Sequence, residues 1–138
     1  MNKHAKALLW ALAAVALSTM GVRGCISGGG DPDLLGVWRQ DLGEGCYDYD
    51  IFTNTGVLAI ANGHSGCGTD NDDTVSATYL ADTSVTPHRM DIYEDNGDHF
   101  LMIYEVDADT LKIASNKAPA PRPTDFTQGQ YAELTRLP

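Results

Sequence analysis

Basic residues are scarce in this chain: 9 lysines and arginines stand against 19 aspartates and glutamates. A surface of that sign repels phosphate backbones, which excludes nucleic acid as a natural partner. The acids are missing from one region, since none precedes Asp31, whereas Lys3, Lys6 and Arg23 all do. Metal-ligand spacing is absent too. His64, His88 and His99 form no H-x-H or H-x-x-x-H pair, and no cysteine pair has zinc-finger spacing. No metal or other cofactor is therefore expected. Beyond the first residues no segment reads as a confident helix, and 138 residues leave room for one domain.

What the N-terminus does contain is a basic start, Lys3 and Lys6, followed by the apolar run "ALLWALAAVAL" at 7–17. That run is of signal-peptide length and too short to span a bilayer well. The stretch "VRGC" at 22–25 resembles the processing site of bacterial lipoproteins, where an apolar-small-small stretch precedes a cysteine that is acylated and becomes residue one. Val22 and Gly24 fit the pattern and Arg23 departs from it. Ordinary signal-peptidase cleavage after Ser18 or Gly21, with free secretion, is the alternative.

Cysteine arithmetic favours acylation. Three cysteines are an odd number for an exported chain. Cys46 and Cys67 flank two strand-like segments and are expected to form a bridge in an oxidising compartment. Closing that loop of roughly twenty residues would stabilise the fold by about 3 kcal/mol. Cys25 is left over for lipid, and "SGGG" after it reads as a flexible tether. The expected organisation is a signal peptide over 1–24, an acylation site and tether over 25–32, and a domain over 33–138. The chain would sit in the cell envelope, anchored in the membrane through Cys25, and at the outer membrane because Ile26 rather than an aspartate follows the cysteine. Cleavage there removes three basic residues and no acid, which moves the net charge from −10 to −13.

From Leu34 onward the hydrophobic period is two. "CYDYDIF" at 46–52 alternates, and "NTG" at 54–56 turns it into "VLAIA" at 57–61. "TVSATYLA" at 74–81 and "RMDIYE" at 89–94 keep the rhythm, and "DNG" at 95–97 makes another tight turn. "HFLMIYEV" at 99–106 is apolar on both faces and reads as the most buried strand. "LKIAS" at 111–115 and "YAELTRL" at 131–137 follow, separated by a proline-rich stretch that excludes a long helix. Eight short strands at this spacing predict an all-β, eight-stranded antiparallel barrel, because closure removes exposed edges. An open β-sandwich is the alternative.

Gly36 and Trp38 in "LLGVWRQ", with "DTSVTPHRMDI", "IYEVDADTLKI" and "RPTDF", resemble a lipocalin-like domain family recurrent in exported planctomycete proteins. Matching positions are Leu34, Gly36, Trp38, Asp82, Pro87 and Asp91, then Ile103, Tyr104, Asp107 and Asp109 to Lys112, then Arg122 to Thr124 and Phe126. Thr83, Ser84, His88, Met90, Met102 and Ala108 depart from the pattern. The resemblance implies a barrel but no activity, since that family has none to lend. It also implies that Trp38 plugs one end of the barrel under a basic residue of the last strand, for which Arg136 stands in place. Arg122 reads as a fixed cation awaiting a carboxylate such as Asp91.

Catalytic readings are weak. "GHSGC" at 63–67 approaches the G-x-S-x-G nucleophile elbow, but Cys67 replaces the second glycine and a loop follows where a helix is needed. Asp70, Asp72 and Asp73 offer oxygens for calcium, yet an EF-hand's glycine and terminal glutamate are missing. The chain is expected to be no enzyme. Tyr47, Tyr49, Ile51, Val75, Tyr79, Met90, Ile92, Phe100, Met102 and Tyr104 are expected to point inward and mainly fill the barrel. Any small amphipathic ligand would then meet Trp38, Tyr47, Tyr49, Tyr79, Met90, Met102 and Tyr104. The expected role is a lipid-anchored small-ligand binding or envelope module. The alternative is an acidic envelope protein that binds or inhibits a cationic protein such as a basic hydrolase.

Overall fold

A computed structural model describes residues 30–63 and 74–138. Cys25, His64, Ser65, Cys67, Asp70, Asp72 and Asp73, and with them the expected signal segment, lie outside the described residues. The chain forms eight antiparallel strands after one 3-10 turn, Pro32–Leu34. They are β1 (Gly36–Gly43), β2 (Cys46–Phe52), β3 (Val57–Gly63), β4 (Thr74–Asp82), β5 (His88–Glu94), β6 (His99–Asp107), β7 (Thr110–Lys117) and β8 (Gln130–Arg136). Each pairs with the next, and β8 returns to β1, so the sheet is a closed barrel rather than an open sandwich. The closing seam is short, running from Trp38 opposite Arg136 to Gln40 opposite Leu134.

Alternation explains most of the core. Ala77 and Tyr79 of β4, Met90 and Ile92 of β5, and Leu111 and Ile113 of β7 are buried in one cluster with Trp38, Phe52, Leu58, Tyr104 and Leu134. Burying a side chain of this size stabilises the fold by about 1.5–3 kcal/mol. Strand β6 is apolar on its second face for a separate reason. The connection at 118–129 lies against the outside of the barrel, held by Arg122, which donates to the carbonyls of Met90 (2.9 Å) and Met102 (2.6 Å). Arg122 also pairs with the carboxylate of Asp91, the partner the sequence suggests. Pro123 of this strap, with Ile103 of β6 and Ala114 of β7, is buried outside the main core.

Two glycines are required where they stand. Gly36 has φ +124°, and a Cβ there would sit 3.4 Å from a guanidinium nitrogen of Arg136. Gly129 has φ +72°, and a Cβ would come within 2.4 Å of the Ser115 carbonyl oxygen. It lets the strap turn tightly into β8.

Antiparallel order sorts the connections onto two ends. Residues 31–35, the β2–β3 turn, the β4–β5 link and the β6–β7 turn lie at one end. The β1–β2 and β5–β6 turns, the end of β3 at Gly63, the start of β4 at Thr74 and the strap lie at the other.

Candidate functional site

The end that carries residues 31–35 is packed shut. Trp38 is fully buried, and its indole N–H donates to the Leu34 carbonyl at 2.8 Å. The guanidinium of Arg136 lies 4.2 Å from the centre of the indole ring. It donates to the carbonyls of Leu35 and Asp33, both at 2.7 Å, so the cation is fixed by the segment it helps to hold. Tyr104 donates its hydroxyl to Asp31 (2.7 Å), and Tyr79 to the Thr53 carbonyl (2.7 Å). Burial, then the bond to Asp31, raises the Tyr104 phenol far above its ordinary range. Phe52 meets Tyr79 edge to face with centroids 5.1 Å apart. Each of these polar tips has a partner, which is what buried aromatic hydroxyls require.

The other end is hollow. A cavity of about 300 Å³ lies between the C-terminal half of β1, the first half of β2, and the facing parts of β5 to β8. One wall carries Gln40, Asp48 and Asp50; the opposite wall carries Ile92, Phe100, Met102 and Ile113. Glu94 and Ser115 add oxygens near the mouth, where Gln130 and Tyr131 are exposed. Glu94 already accepts from Asn96 at 2.9 Å. Among the described residues no lysine, arginine or histidine lines the cavity. Lys117, at the same end, is held by Asp98 at 2.7 Å.

One acid in the wall, Asp50, is perturbed accordingly. Burial, then the neighbouring Asp48, pushes the Asp50 carboxyl up to about 7. Asp50 is partly exposed and lines the cavity. Asp48 Oδ1 is buried and has no hydrogen-bond partner. A buried acceptor in that state costs about 1–3 kcal/mol, more when charged, and unsatisfied groups of this kind concentrate at functional sites.

The expected cavity residues are divided between the two ends. Met102 lines the cavity. Trp38, Tyr79, Met90 and Tyr104 belong to the packed core instead. The inward face expected of β2 is corrected: Asp48, Asp50 and Phe52 face in, so Tyr47, Tyr49 and Ile51 face out. Outside, Tyr47 has the Arg39 guanidinium over its ring at 4.5 Å. The reason is register, because Asp50 is paired with Trp38 and Phe52 with Gly36, and directly paired residues share a face. A mainly filled barrel is likewise half right, with one end filled and the other open. Hydrophobic ranking missed Asp48, Asp50 and Gln40; the parity they share with Phe52 and Trp38 is the signal that finds them.

His88 and His99 stand apart. His88 contacts the Val85 carbonyl through Nδ1 at 2.7 Å, and His99 stacks on Tyr93 with ring centres 4.2 Å apart. No three histidine, cysteine, aspartate or glutamate side chains among the described residues gather into a metal-ligand set. Cys46 is buried at the start of β2, one residue from the Tyr47–Gly63 pair after which β3 ends.

Comparison with family models, curated proteins and solved structures returned no match. The class that fold and site define is thus an eight-stranded antiparallel barrel with one plugged end and one acidic, ligand-sized cavity.

Proposed function

We propose that this chain is an exported, lipid-anchored and non-catalytic binding protein that holds one small molecule in the open end of its barrel. The observation that carries the reading is the division of the interior. A domain of this size has little core to spare, yet the chain packs one end solid and leaves a cavity at the other. The volume, about 300 Å³, falls at the lower end of the range of small-ligand sites. Its lining also has their character, an apolar wall with a few convergent polar groups.

The location part of the proposal agrees with this geometry. Residue 30 enters at the plugged end. A tether from an acylated Cys25 would hold that end toward the membrane and leave the cavity mouth facing away from it. A Cys46–Cys67 bridge would fasten the 64–73 connection at the mouth.

Native mass spectrometry of protein purified from the membranes of a producing cell tests both parts. The expected mass includes acyl chains on Cys25 and is two hydrogens lighter for the Cys46–Cys67 bridge. An unmodified Cys25 would remove the anchor from the proposal. The wild-type protein should also carry a small molecule that the Ala132→Trp variant lacks, because an indole at that lining position fills the void. Equal ligand content in a folded Ala132→Trp variant would contradict binding in the cavity.

A further inference from the structure

We infer that the cavity is built for a small organic cation, an ammonium or amidinium group on a compact apolar body, with the charged head between Asp48 and Asp50 and the body against Phe100 and Met102. The inference rests on the cavity reading above and names the ligand class.

Several independent features converge on it. Asp48 lines the cavity, and its Oδ1 is buried without a hydrogen-bond partner. Among the described residues no lysine or arginine lines the cavity: Arg136 is spent at the plugged end, Arg122 and Arg39 lie outside the barrel, and Lys117 is paired with Asp98. A ligand bearing a positive charge would supply the donor that Asp48 lacks. A metal ion is the poorer candidate, since hard cations take six or more oxygens and no three-acid ligand set forms among the described residues. An ammonium needs fewer partners, having three donors for Asp48, Asp50 and the Gln40 amide oxygen. The aromatic face of Phe100 adds a second kind of attraction for a cation. At about 30 Å³ per water-sized group, the volume admits about ten non-hydrogen atoms, which is one amine on one small ring or short chain.

Protonation fits the same picture. The carboxyl of Asp50 is pushed up to about 7 with the cavity empty, and a bound cation would draw it down. Binding should therefore release protons near neutral pH and weaken as pH falls. The other titratable groups that line the space among the described residues are Asp48 on the same strand, Glu94 across it and Tyr131 at the mouth; the two carboxylates also favour the cation when ionised.

The test is calorimetric titration of the full chain with three probes of one shape: 2-phenylethylammonium, 2-phenylethanol and phenylacetate. The cation is expected to bind at least tenfold tighter than the alcohol, and the anion not to bind. Asp48→Asn and Asp50→Asn should each lose at least tenfold in affinity for the cation and leave the alcohol within about twofold. The cation should bind at least tenfold more weakly at pH 5 than at pH 7.5. Equal binding of alcohol and cation would overturn the cation inference and leave the cavity reading standing. Absence of binding by all three would also overturn it, whereas the native mass of Ala132→Trp judges the cavity reading separately.

Discussion

Replacing Trp38 with alanine is expected to lower the free energy of unfolding by about 3–5 kcal/mol, the range for deleting a large buried aromatic side chain. Three losses act together here. The fully buried indole leaves a void in the plugged end. The Leu34 carbonyl loses its buried donor, and the Arg136 guanidinium loses the ring it lies on. Because Arg136 also ties Asp33 and Leu35 to the barrel, residues 31–35 should loosen with it. Trp38→Phe keeps most of the volume and removes the N–H, so it should cost only about 1–2 kcal/mol. Urea denaturation followed by far-ultraviolet circular dichroism measures both. A loss below about 1 kcal/mol for Trp38→Ala would mean that the plug does not hold the barrel closed.

The second large effect has the opposite sign. Asp50→Asn is expected to stabilise the empty protein at pH 8 by up to about 4 kcal/mol, the upper limit for removing a raised carboxyl. The folded-state value of about 7 lies above the ordinary 3.8, so between these two values the native state binds more protons than the unfolded chain. The contribution of Asp50 to stability is fully present below about 3.8, is lost as pH rises toward 7, and is then level. Burial is the larger cause and Asp48 the smaller, so Asp48→Asn should recover a minor part of the effect. Other carboxylates act differently: Asp82 and Asp125 are held low by their bonds to Ser84 and Thr127 and contribute at the acid end. The difference between wild type and Asp50→Asn, taken across pH, isolates the one residue. A variant that gains stability while losing cation affinity would mark Asp50 as kept for binding rather than for folding.

How much of this could be read from the amino-acid order depends on the element. Strand β6 is legible as apolar on both faces from Phe100 to Tyr104, but it is not the most buried strand: only Ile103 and Tyr104 are buried in it, against Leu111, Ile113 and Ala114 in β7. Trp38 under Arg136 is implied by the resemblance and is found across the closing seam, and Arg122 of the strap meets Asp91 of β5. Strand β2 is not legible in the same way. In "CYDYDIF" the two faces differ in polarity, and burial of the tyrosines is the reasonable choice when the strand is considered alone. Closure of the sheet decides otherwise, since Trp38 and Phe52 must both enter the core and their parity takes Asp48 and Asp50 with them. The acids are tolerated because the core ends below them and a cavity begins. A pattern rule that ranks residues by hydrophobicity cannot anticipate a buried carboxylate.

The central claim is that Asp48 and Asp50 line the hollow end of the barrel, and carbon-13 NMR titration of the aspartate side-chain carboxyls tests it most directly. The empty protein should show one carboxyl, assigned to Asp50 by its loss in Asp50→Asn, titrating near 7 and shifting down when 2-phenylethylammonium is added. An Asp50 midpoint near 4, unmoved by the amine, would place that side chain in open water and contradict the account.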